Sequence, residues 1–202
     1  VTTGANAAGG NIDYKSVDWQ HTGIFGTYDR SAAQRGAQVY REVCAGCHGL
    51  ELVAFRTLTD LGFTEDEVKA IAAEYEFVDG PDDEGEMFDR AGKPFDKFPA
   101  PFANEKAARA SNGGAYPPDL SLIVKARPGF ENYLYSLLTG YEDAPEGFEL
   151  PVGMNYNAYF AGHKIAMAAP LSEDAVEYSD GTKASVDQMA KDVTVFLSLI
   201  HI

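Results

Sequence analysis

Cys44-Ala45-Gly46-Cys47-His48 is the stretch on which the reading of this chain turns. Two cysteines spaced C-x-x-C, with histidine directly after the second, form the attachment pattern of a c-type haem. The spacing lets the Cys44 and Cys47 thiols reach two vinyl groups of one porphyrin as thioethers. His48 then turns its imidazole under the macrocycle as the proximal iron ligand. Other uses of the pattern explain less. A zinc site wants four ligands, and there is no second cysteine pair. A thioredoxin-like pair belongs after a strand in a βαβ unit, and no such pattern surrounds it. A disulfide across so short a loop leaves His48 without a role.

Working outward, the 202 residues suit one domain with a sizeable core or one domain with a large insertion. A net charge of -15 excludes nucleic acid as a natural partner and favours a basic protein or another cation. Both cysteines are used by the haem motif, so no disulfide reports the compartment. Covalent haem attachment itself places the chain outside the cytoplasm. The longest apolar run, Val193 to Ile202, is too short to cross a bilayer. No basic start with an apolar core is present, which reads as a processed or engineered form.

Along the chain, residues 1–11 are Gly/Ala-rich and read as a flexible tail. A helix is expected from Asp29 or Ser31, with Ala33, Ala37, Tyr40 and Val43 at helical spacing, running directly into Cys44. Gly36 lies on its apolar side, where a missing side chain permits close helix approach. Thr64-Glu65-Asp66-Glu67 has capping-box form and starts a second helix. Residues 76–96 carry many carboxylates and read as an exposed acidic loop insertion. Helical stretches are expected near Asn104–Ala110, Asp119–Ala126 and Phe130–Thr139. Tyr141 to Pro170 is a long segment of Gly, Pro, Asn and aromatics, of the kind that carries function. Ser185-x-x-Gln188 caps a last amphipathic helix within residues 185–202. The expected fold is mainly α: a cytochrome c-like helical haem domain over residues 12–202, with long loops and an acidic insertion.

The iron's sixth ligand can be sorted from chemistry. Methionine opposite histidine raises the reduction potential and suits electron transfer. Met189 falls on the apolar stripe of the last helix, and Met87 in the acidic segment. Met167, in Ile165-Ala166-Met167-Ala168-Ala169-Pro170, has small neighbours and a stiffening proline and is preferred, with Met154 as the second choice. His163 would instead give a bis-histidine centre.

Several stretches resemble cytochrome c1, the haem subunit of the cytochrome bc1 complex, from about Trp19 to Leu197. They include Arg35-Gly36-Ala37-Gln38-Val39-Tyr40 before the haem motif, Tyr116-Pro117-Pro118-Asp119-Leu120-Ser121, and Tyr133 through Tyr141. The resemblance places the axial methionine after Tyr159-Phe160-Ala161-Gly162, at Met167, with Ala169 replacing a usual proline. It sets Arg127 at the haem propionates, where a guanidinium grips carboxylate in a fork, with Tyr133 nearby. It implies one covalent haem c and electron transfer from a Rieske iron–sulfur protein to a soluble cytochrome c. The implied neighbours are the Rieske protein and cytochrome b in a ubiquinol–cytochrome c reductase of the respiratory chain. The family also continues past the last helix into a membrane anchor, so the expected location is the periplasmic face of a bacterial inner membrane. The alternative is the mitochondrial inner membrane, facing the intermembrane space. The rival reading is a haem enzyme or ligand sensor, whose iron keeps an open position.

Overall fold

The computed structural model describes residues 12–202, so the stretch expected as a flexible tail lies outside the described residues. The fold is mainly α. Helix α1 (Arg30–Val39) begins at Asp29, whose carboxylate accepts from the Ser31 and Ala32 amides, so Asp29 and not Ser31 is the cap. Its buried face, Ala32, Ala33, Gly36, Ala37 and Val39, is made of small residues. It packs on the terminal helix here named α5 (Val186–Leu199), which Ser185 caps by accepting from the Gln188 amide. Small residues let the two backbones approach: a Cβ built on Gly36 would stand 2.0 Å from the Asp192 carbonyl oxygen. The expectation for Gly36 holds.

Around this helix pair lie α2 (Glu65–Ala73), α3 (Glu105–Ser111) and α4 (Phe130–Leu138). Both halves of the Thr64–Glu67 capping box are present in α2, which packs on a 3-10 helix, Phe55–Leu61. Asn104 caps α3 through the Ala107 amide. α4 packs on α5, and the core they share includes Leu134, Leu137, Met189, Val193 and Phe196. Met189 is fully buried there, as its place on the apolar stripe requires.

Three expectations change. Residues 76–96 are not a bare loop: Glu76–Asp79 (β1) and Phe88–Ala91 (β2) pair antiparallel, with Phe77 opposite Arg90. Phe77 meets Phe55 edge-on at 6.5 Å, which seats the hairpin on the core. Arg90 lies over the Phe77 ring and forks onto Asp96 at 2.6 and 2.8 Å while also pairing with Asp79. One cation thus gathers two of the carboxylates that made the segment look merely solvated. Where a helix is expected over residues 119–126, residues 121–126 form successive turns, because Asp119 and Leu120 bond sideways to Glu51 and Gly49. Within 141–170, Asn155–Tyr156 (β3) pairs with Lys164–Ile165 (β4) around the turn that contains Gly162.

Candidate haem site

Helix α1 does not end before the motif. It passes into a π turn, Tyr40–Cys44, closed by the Ala45 amide donating to the Tyr40 carbonyl at 2.8 Å. The Cys47 and His48 amides then both donate to the Cys44 carbonyl, at 3.0 and 2.9 Å, so the five-residue motif leaves the helix as one tight turn. Buried Tyr40 donates its hydroxyl to the His48 carbonyl at 2.9 Å and ties the turn back to the helix. Both cysteines are free thiols, Cys44 half-buried and Cys47 exposed. Burial, with Cys47 adding to it, pushes the Cys44 thiol up to about 12. A redox or metal thiolate calls for the opposite shift at Cys44.

His48 is oriented from the far side of the site. Its Nδ1 donates to the Pro118 carbonyl at 2.8 Å, since a carbonyl oxygen can only accept. That fixes the tautomer and leaves Nε2 with a lone pair and no partner among the described residues. Burial lowers the His48 pKa, against the opposing effects of the Pro118 bond and Asp119, and so favours the neutral imidazole that ligation requires. Residues 117–121 are held alongside residues 48–52 by the Leu120 amide to Gly49 and the Leu52 amide to Ser121 Oγ.

Met167 follows β4 and packs, half-buried, at the edge of the core. Its carbonyl accepts from Tyr141 Oη at 3.2 Å and from Asn155 Nδ2 at 3.3 Å. Burial raises the Tyr141 pKa, which keeps the phenol a donor. Met87 is 60% exposed, as its place in the acidic segment implied, and Met154, the second candidate ligand, is 40% exposed. His163 stacks on Tyr156 and points Nδ1 at the Asn157 carbonyl. Arg127 is half-buried; among the described residues it bonds only the Ala126 carbonyl and has no carboxylate partner. Tyr133, buried on α4, meets the Tyr14 ring edge-on at 5.5 Å. A cleft of about 250 Å³ opens beside Cys47 and Pro117, with Glu51, Glu105 and Asp119 on its walls.

Among the described residues, two free thiols one turn apart and an oriented imidazole with a nitrogen left without a partner fit a covalently held haem. Sequence reasoning passed over Tyr40, Asn155 and Asn157 as site-building residues. Asn157 is fully buried, its amide donating to the Leu137 carbonyl and its Oδ1 accepting from the Tyr159 amide. An asparagine among aromatics was the one signal available. Residues 19–199 match the model of the Cytochrome C1 family.

The chain belongs to the cytochrome c1 family.

Among its relatives, "Cytochrome c1 2, heme protein, mitochondrial" of Arabidopsis thaliana is 52% identical over 96% of this chain and 63% of its own length. "Cytochrome c1" of Rhodospirillum rubrum is 52% identical over 96% of this chain and 77% of its own length. "Cytochrome b-c1 complex catalytic subunit, mitochondrial" of Candida albicans is 55% identical over 91% of this chain and 64% of its length. The chain therefore spans under two thirds of the Arabidopsis and Candida relatives. Among the described residues no helix is long and apolar enough to cross a membrane.

Proposed function

We propose that residues 12–202 form the electron-carrying haem domain of a ubiquinol–cytochrome c reductase. The domain takes one electron from a Rieske iron–sulfur protein and gives it to a soluble cytochrome c, with cytochrome b as a further neighbour in the complex. When bound, one haem c supplies the one-electron couple. Cys44 and Cys47 would hold it covalently, His48 and Met167 would ligate its iron, and Arg127 with Tyr133 would hold its propionates. The observation that carries this reading is the Nδ1 bond of His48 to Pro118, which aims a neutral Nε2 away from the protein's own hydrogen bonds. No side chain performs acid–base or nucleophilic chemistry; the chain fixes the ligands and shields the iron from water. In a bacterium the site faces the periplasm, and in a mitochondrion the intermembrane space, at a membrane that holds the complex.

Optical spectroscopy of the holoprotein tests the ligand set. A six-coordinate, low-spin centre that does not shift with carbon monoxide is expected in both oxidation states. Met167→Leu should remove the sulfur-to-iron band at the red end of the oxidised spectrum and lower the potential, since thioether ligation raises it. If Met154→Leu does this and Met167→Leu does not, the assignment fails; carbon monoxide binding to the unaltered protein would favour the sensor reading.

The acidic surface supports a basic acceptor. Asp82, Asp83 and Glu84 stand exposed at the tip of the β1–β2 hairpin, and Glu51, Glu105 and Asp119 flank the cleft beside Cys47. Opposite charge speeds encounter by roughly 10–1000-fold, an advantage lost as the screening length shrinks to about 10 Å at 0.1 M salt. The bimolecular rate of electron transfer to a basic cytochrome c should fall steeply as salt rises. Neutralising Asp82, Asp83 and Glu84 should flatten that slope if the hairpin steers. A slope that yields only to Glu51→Gln and Glu105→Gln assigns steering to the cleft, and a rate indifferent to salt removes steering altogether.

A further inference from the structure

We infer that Tyr141 and Asn155 are positioning residues for the sixth iron ligand, a step that rests on Met167 holding that place. Two side chains from different parts of the chain donate to one carbonyl, that of Met167, at 3.2 and 3.3 Å. Neither side chain has another hydrogen-bond partner among the described residues. Both belong to one short ladder. Tyr141 bridges to Asn157, and Asn155 pairs with Ile165, two residues before Met167. The ladder is fastened to α4, because Asn157 donates to the Leu137 carbonyl at 2.8 Å and the Ala158 amide donates to Gly140. At Gly140 a Cβ would stand 2.6 Å from the Ser136 carbonyl and 2.4 Å from the Tyr159 ring, so this ladder lies hard against the helix end.

The small residues around Met167 give its loop little packing of its own: Ala168 and Ala169 are exposed. Apart from these two donors, the Met167 backbone makes no hydrogen bond among the described residues, and only the side chain's packing at the core edge and β4 two residues earlier hold it. The pair therefore sets how far the sulfur can withdraw from the iron. A carbonyl has two lone pairs and accepts both donors at once, so loss of one leaves the other in place, and loss of both leaves the oxygen without either. Each bond is longer than the modal value and so falls at the weaker end of the range.

The experiment is imidazole titration of the oxidised holoprotein, read as loss of the sulfur-to-iron band. Imidazole binds only when the thioether has moved off, so its apparent affinity reports the open fraction. Tyr141→Phe and Asn155→Leu should each tighten imidazole about threefold, and the double variant about tenfold or more. A role in general stability alone would lower the melting temperature with imidazole affinity unchanged. If the double variant does not hold haem, Tyr141→Phe decides alone, and an unchanged affinity there overturns the proposal. Met167→Leu separates the two layers. If it leaves the band in place, Met167 is not the ligand and the earlier reading fails. If it removes the band while the donor variants change nothing, the ligand stands and the positioning role is wrong.

Discussion

Replacing Gly36 by alanine is expected to destabilise the protein by about 2–4 kcal/mol, although alanine is the better helix former. Propensity alone predicts a gain of about 1 kcal/mol. The geometry decides the sign. The added Cβ would stand 2.0 Å from the Asp192 carbonyl oxygen, 2.6 Å from its carbon and 2.7 Å from Phe196 Cβ. Two of those atoms are helix backbone and the third is a Cβ fixed to it, so no rotamer change relieves the contact and α1 must move off α5. Urea or thermal unfolding measures it, with a fall in melting temperature of roughly 4–16 °C for a domain of this size. Gly46→Ala is the control: its Cβ meets nothing within 4 Å, and stability should stay within about 0.5 kcal/mol. A Gly36→Ala protein as stable as the parent would mean that the helices have room to spare. Because α1 runs straight into Cys44, a displaced α1 should also lower the yield of haem attachment.

The second large effect is at the same crossing. Arg35 forks onto Asp192 with bonds of 2.9 and 3.0 Å and donates to Asp180 at 2.8 Å, its guanidinium lying 5.7 Å from the Tyr178 ring centre. Asp192 is 1% exposed, with Gln188 as its other partner. Arg35→Met keeps the aliphatic packing but leaves a buried carboxylate with no cation, a loss of about 3–5 kcal/mol. Asp192→Asn should cost less, because Arg35 keeps Asp180. Combining Arg35→Met with Asp192→Leu should recover part of the loss, since two apolar groups need no compensation there. Additive costs in that double variant would show that the fork contributes nothing as a pair.

The legible parts of this fold are those set within a few residues. Thr64–Glu67 and Ser185–Gln188 are local capping signals, and both helices begin where they say. Gly36 was legible because a bare position on an apolar stripe has few other uses. The hairpin was not, because strands of four residues are too short to show a period, and Arg90 acts on Asp96 and Phe77 only once the chain has turned back. The 121–126 turns were misread as helix for a related reason: Asp119 and Leu120 spend their bonds on residues some seventy positions earlier. At the candidate site, Cys44, Cys47 and His48 are proposed from spacing, and Met167 from its neighbours. What could not be read is the carbonyl of Pro118, which orients His48, or the pair of donors on Met167. Backbone acceptors carry no residue signature.

The π turn at Tyr40–Cys44 fixes the length of the chain as well as its shape. A π turn holds one residue more than the α turn it replaces, with the closing bond reaching five residues back, from Ala45 to Tyr40. Deleting one residue between Tyr40 and Cys44 would let that turn relax into ordinary helix with no bond lost. Because the closing bond still ends on Tyr40, everything after the turn keeps its angle about the helix axis, whereas the same deletion inside α1 would turn it by about 100°, the angle of one residue in 3.6. A chain shortened at the π turn would keep its α1–α5 crossing and present both thiols and the imidazole to the same side, and one shortened inside α1 would keep only one of the two. At this point the helix carries one residue in reserve, so the chain tolerates a shortening here that would silence it a turn earlier.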